Sequence, residues 1–164
     1  MQGLKSIEEE VLTSAPHTQS ECFACGPDHP HGLKLRFRTD GPGRVRAGWI
    51  PGKDWEGYQG VIHGGIIATV LDEAMSKAIA TASESAFTCR LEVRLRRHVA
   101  PGELIRVRGW VVEKRKRHLR VEAELRDTQN VERAHAWGTF LKPPHARGGR
   151  CLKNEKKSRT EEAH

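Results

Sequence analysis

The chain has 164 residues, with 28 Lys and Arg against 21 Asp and Glu, a net charge of +7 and a mean hydropathy of -0.63. That length suits one domain, and a hydrophobic content of 37% is too high for a chain that stays unfolded. No apolar run approaches the roughly 18–20 residues of a membrane span, Glu8, Glu9 and Glu10 stand where a secretory leader would be apolar, and Cys22, Cys25, Cys89 and Cys151 are too few to staple a secreted scaffold. A cytoplasmic protein with reduced thiols is therefore expected.

Residues 1–20 lack periodicity and are expected to form a flexible lead-in. Leu33, Leu35 and Phe37 alternate with Lys34, Arg36 and Arg38, and after the Asp40-Gly41-Pro42-Gly43 turn a second short run extends from Arg44 to Ile50; two strands joined by a tight turn are predicted. Over 64–80 the period changes: Ile66, Ile67, Val70, Leu71, Ala74, Met75, Ala78 and Ile79 recur at three- and four-residue spacing, which predicts one helix, apolar over much of its circumference. Period two then returns in Leu91, Val93 and Leu95, in Leu104–Glu113, in His118–Arg126 and in Val131–Leu141, which predicts four more strands. From Lys142 onward, paired prolines and glycines and a dearth of large apolar residues predict a tail (143–164) that does not pack; with Lys142 it holds seven basic and three acidic residues, more than half of the net charge.

An antiparallel meander with one nearly all-apolar helix has few packing solutions. The expected fold is α+β, a curved antiparallel sheet wrapped around one long central helix, occupying 21–142. Its single layer of strands leaves edges that commonly pair with another subunit.

The densest chemical signal is Tyr58-Gln59-Gly60-Val61-Ile62-His63-Gly64-Gly65, running straight into the helix. Two glycines at a helix start leave the first N–H groups uncovered at the positive end of the dipole, so Gly64 is a candidate oxyanion donor; close passage of the loop over the sheet would explain the glycines equally well. Projected at 100° per residue, Gly65, Ala68, Thr69, Asp72 and Ser76 form a small, polar stripe away from the large apolar side chains. Asp72 stands in it with open space above. Gly64 and Asp72 are separated by roughly 12 Å of helical rise, too far for one small reacting group to touch both, so a shared role requires two subunits. Glu73 projects elsewhere and reads as a solvated or capping carboxylate.

The string HGGIIATVLDEAM, the preceding YQGVI, the CFACGPDHPHGLKLRF segment and the closing EAELRDTQNVERAHAWGTF resemble the hotdog-fold acyl-CoA thioesterases of the phenylacetate-degradation type, over roughly residues 20–142. The resemblance implies a hotdog fold, a homodimer or homotetramer with shared active sites, no cofactor and no metal. It implies Asp72 as nucleophile or general base, the Gly64 N–H as oxyanion donor, His63 as support for the glycine loop, and Thr88 as the residue orienting the attacking water or the carboxylate. Gly65 and Gln59 would line the acyl-CoA site. One departure is Gly57, where several members carry Asn or another polar residue six positions before the His.

Coenzyme A carries phosphates and needs a basic approach, for which Arg97 and the 114–118 segment, with Arg115, Arg117 and His118, are candidates. Most of the remaining arginines on the strands read as a solvated face. Cys22 and Cys25 with His29 and His31 could supply four zinc ligands, but a lone CxxC is a weak metal signal and packing is the preferred reading. The competing function is a non-catalytic hotdog module binding acyl-CoA or acyl-carrier thioesters. Nucleic-acid binding, suggested by the basic charge, is disfavoured by an aromatic content of 5% and the lack of an RNA-binding signature.

Overall fold

The computed structural model describes residues 21–143; the lead-in 1–20 and all but the first residue of the tail lie outside the described residues. In chain order the elements are β1 (Arg38–Thr39), β2 (Arg44–Trp49), a 3-10 turn (Lys53–Trp55), β3 (Glu56–Tyr58), β4 (Val61–Ile62), α1 (Gly64–Thr81), β5 (Phe87–Leu95), β6 (Ile105–Lys114), β7 (His118–Arg126) and β8 (Glu132–Leu141). Six strands form one antiparallel sheet in the order β1-β2-β6-β7-β8-β5, and β3 pairs with β4 in a small hairpin of its own. α1 lies against the sheet's inner face, which makes this an α+β hotdog fold.

The helix forms where the three- and four-residue spacing demands it, because only that geometry buries Val70, Leu71, Ala74, Met75, Ala78 and Ile79 together. They pack on the inward-facing residues of the strands, among them Val107, Leu119, Val121, Leu125 and Phe140. Close approach depends on Gly109 of β6: a Cβ there would stand 2.5 Å from the Ala74 carbonyl oxygen. Only a residue without a side chain lets that turn of the helix touch the sheet.

Two expectations need correction. Leu33, Leu35 and Phe37 are buried in alternation as predicted, yet they form no ladder strand; Lys34 has φ +56°, and the N–H groups of Leu33 and Leu35 donate to the carbonyls of Phe23 and Ala24. Strand pairing starts only at Arg38, opposite Arg46. The sheet is also not a simple meander: the segment after β5 crosses the end of the sheet, so β6 pairs with β2 and β5 pairs with β8 at the far edge. The stretch before the helix adds a hairpin, with Gln59 and Gly60 at its tip and Gly60 at φ +76°.

Candidate active site

The hairpin ends in His63, which caps α1. Its Nδ1 accepts the Gly65 N–H at 2.9 Å, while its own N–H donates to the Trp55 carbonyl at 2.8 Å. The cap thus consumes the Gly65 donor. Gly64, the first helical residue, has no acceptor for its N–H among the described residues, and its α-carbon faces Leu95 of β5 so closely that a Cβ would lie 2.9 Å from Leu95 Cδ1. A cavity of about 400 Å³ opens here, lined by Gly57, Tyr58, His63, Gly64, Leu95 and Arg97 among others. One uncovered N–H at a helix N-terminus in an apolar cavity can polarise a carbonyl.

Gly57 is explained by His63. A Cβ at Gly57 would come within 3.0 Å of His63 Cδ2. The imidazole fills the space into which a larger residue at this position would project, and the capping contact keeps it there.

Two turns along α1, Asp72 is half-buried beside β5, where the Thr88 hydroxyl donates to Asp72 Oδ1 at 2.9 Å. Burial raises the Asp72 pKa above the ordinary carboxylate value, opposed by the Thr88 hydrogen bond, with neighbouring Glu73 adding to the rise. The carboxylate is therefore more basic than one in water.

The site residues inferred from sequence fall into two groups in one chain. Gly64, His63 and Arg97 line one cavity; Asp72 and Thr88 form a pair toward the other end of β5. Gln59, at the hairpin tip, does not line the cavity, and Gly65 is committed to His63. Arg115, Arg117 and His118 sit at the turn from β6 to β7, where His118 is in register with Leu141 and Leu141 with Phe87, so this basic turn shares the Asp72 end of the sheet. Tyr58, Leu95, Val99 and Ala134 also line the cavity and were not singled out as site residues; the Gln59-Gly60 pair ahead of Val61-Ile62 was the signal for the hairpin that brings Tyr58 in.

Glu73 is not the solvated carboxylate expected. It is half-buried, paired with Lys77 at 3.4 Å, and close to the CxxC segment. Cys22, Cys25 and Glu73 bring ligand atoms within 4.8 Å of one another, a set that could in principle hold a metal ion; His29 and His31 do not join it, and the Lys77 ammonium already supplies a cation. Burial, reinforced by Glu73, pushes the Cys25 thiol up to about 12, as suits packing better than reactivity.

β5 is the open edge of the site. It leaves Phe87, Leu91 and Leu95 exposed at 73%, 37% and 55%, and Tyr58 beside the cavity at 84%. No helix among the described residues is long and apolar enough to cross a membrane.

A helix capped at a glycine pair and packed in a curved antiparallel sheet defines the class as a hotdog-fold protein, and a family model described as the thioesterase superfamily matches residues 59–134. Among curated proteins, the chain is 33% identical over 93 residues to the mouse acyl-coenzyme A thioesterase THEM5, a match covering 56% of this chain and 37% of that protein. The chain thus spans little more than a third of that relative's length. Among solved structures it superimposes on the Escherichia coli PaaI protein of the phenylacetic acid degradation operon (TM-score 0.65, 15% identity, 68% of this chain and 81% of that one). It is similar also to a hypothetical thioesterase from Streptococcus pneumoniae solved with coenzyme A (TM-score 0.64, 13% identity, 66% and 85%).

Proposed function

We propose that the protein hydrolyses an acyl-CoA thioester to CoA and a carboxylic acid, as an enzyme of the phenylacetate-degradation type, in active sites shared between two subunits. The observation that carries this is the division of the site along β5. Gly64 meets Leu95 at one end of the strand and Asp72 meets Thr88 at the other, and no strand among the described residues pairs with its outer edge.

Antiparallel pairing of two β5 strands about a two-fold axis near Leu91 would place Leu95 of one subunit opposite Phe87 of the partner subunit. The Gly64 N–H then faces the partner subunit's Asp72, and the exposed Leu91 becomes buried. The partner's basic turn, two strands beyond at about 4.8 Å each, arrives at the same end as Arg97. Arg97 and the partner subunit's Arg115, Arg117 and His118 would receive the phosphates of CoA.

In this arrangement Asp72 takes a proton from water as the water oxygen bonds to the thioester carbon. The carbonyl oxygen becomes an oxyanion on the Gly64 N–H, the C–S bond breaks, and the CoA sulfur leaves and recovers a proton. Attack by the carboxylate itself, with water opening the resulting anhydride, uses the same groups. A thioester has little resonance stabilisation, so one carboxylate and one N–H suffice. Thr88 orients the Asp72 carboxylate and His63 holds the glycine loop. The pneumococcal relative supports the pairing: it has also been solved with alanine replacing an aspartate and, separately, a threonine 16 residues further on, the separation of Asp72 and Thr88.

Release of free thiol from a panel of acyl-CoAs tests the reading. Wild type is expected to turn over at least one acyl-CoA, and Asp72→Ala to lose the activity by about a hundredfold or more. Full activity in Asp72→Ala, or tight acyl-CoA binding without turnover by wild type, would reject hydrolysis in favour of a binding module.

A further inference from the structure

The sheet's outer face carries a second cluster, at the opposite edge from β5. Arg38 of β1 is in register with Arg46 of β2, and Arg46 with Arg108 of β6, so three guanidinium groups stand side by side across three strands. Arg106, two residues along β6, faces Gly48, whose missing side chain leaves a hollow between them. The four arginines line a groove of about 190 Å³ with Ala47, Gly48 and Val107, and no carboxylate is among its lining residues.

Like charges directly opposite one another on a sheet oppose pairing. Several arginines elsewhere have carboxylate partners: Arg126 bonds Glu124 and Glu132, Arg96 pairs with Glu132, Arg115 with Glu113, and Arg90 with Glu92. Two arginines of the groove lack a close carboxylate: Arg108 reaches Glu124 only at 3.8 Å, and Arg106 pairs with no carboxylate among the described residues. Arg38 adds an independent sign, because its Nε is buried without a hydrogen-bond partner. A buried, unsatisfied guanidinium nitrogen is costly unless an acceptor arrives.

We propose that this groove is a binding site for a small soluble anion bearing phosphate groups. Guanidinium forks suit phosphate oxygens bidentately, the volume suits one or two phosphate groups, and such a ligand would supply the acceptor that Arg38 lacks. The site lies on the other face and the other edge of the sheet from the Gly64 cavity, so it stands or falls independently of thioester hydrolysis.

Inorganic pyrophosphate titrated calorimetrically into the full chain is expected to bind saturably, one per chain, with a Kd below about 1 mM. Arg38→Gln and Arg106→Gln should each weaken it about tenfold or more, Arg106→Lys by less, and Arg90→Gln, which removes the same charge elsewhere on the face, not at all. Unfolding temperatures of all four variants establish that they fold. No saturable binding, equal binding in Arg38→Gln and wild type, an equal loss in Arg90→Gln, or binding seen only with oligonucleotides or anionic vesicles would overturn the proposal.

Discussion

Asp72 is held where water is scarce and a hydroxyl is aimed at it, and the two influences oppose each other. Burial raises its pKa while the Thr88 hydrogen bond lowers it, and burial wins. If Asp72 acts as base it must be ionised, so the acid limb of the hydrolysis rate against pH should sit above the ordinary carboxylate range. Thr88→Val removes the lowering influence and should move that limb to higher pH; a limb that stays in place would mean the hydrogen bond does not act on the reacting carboxylate. Stability carries the opposite sign. Between the unfolded pKa and the raised folded one, the folded chain binds more protons, so the favourable contribution present at low pH is lost as pH rises through the folded value. Asp72→Asn should therefore unfold at a higher temperature than wild type at neutral pH while losing hydrolysis, which thermal melts at acidic and neutral pH would reveal. The position of Asp72 on a small, polar stripe was legible from helical projection. The Glu73 environment was not, because it depends on the CxxC segment folding back onto α1, a contact between residues about fifty positions apart that no local pattern records.

Elements were legible to the degree that a single period specified them. α1 buries a broad face of its circumference, and its spacing announced it to within a residue of its observed end. The Leu33–Phe37 segment shows the limit: period two records which side chains are buried, not which backbone groups pair, and here the partners are loop carbonyls at Phe23 and Ala24. Strand order was invisible for a related reason, since an alternating strand buries the same face beside any neighbour. Gly109 sits in β6 and would read as a weak point in a strand, yet it is the place where the helix and sheet touch. Gly109→Ala forces Cβ against the Ala74 carbonyl, which is backbone and cannot step aside. A loss of about 1–3 kcal/mol or more is expected, measured as a lower denaturant midpoint with an unchanged slope. Gly48→Ala, whose Cβ would meet only Leu104 Cδ1 at 3.6 Å, should cost much less.

At the scale of the molecule, the proposed arrangement leaves neither end of the site complete in one chain, and this gives it a test that single variants cannot. Pro is tolerated at the first position of a helix and lacks only the N–H. Gly64 occupies that position, preceded by His63 at ψ 133°, which suits a following proline, and the tip of Leu95 can shift to admit the ring. Gly64→Pro thus deletes the proposed oxyanion donor while keeping α1, and should lower hydrolysis by about 10²–10³. Asp72→Asn deletes the other half. When the two inactive variants are mixed and allowed to exchange subunits, each mixed dimer gains one site with an intact Gly64 from one chain and an intact Asp72 from the other, its second site lacking both. Random exchange makes half of the dimers mixed, so activity should return to about a quarter of wild type. If the two groups instead served one site within a single chain, every chain in the mixture would still lack one of them. No activity would then return, however complete the exchange, and mass measurement of the mixed dimers would show that exchange had occurred.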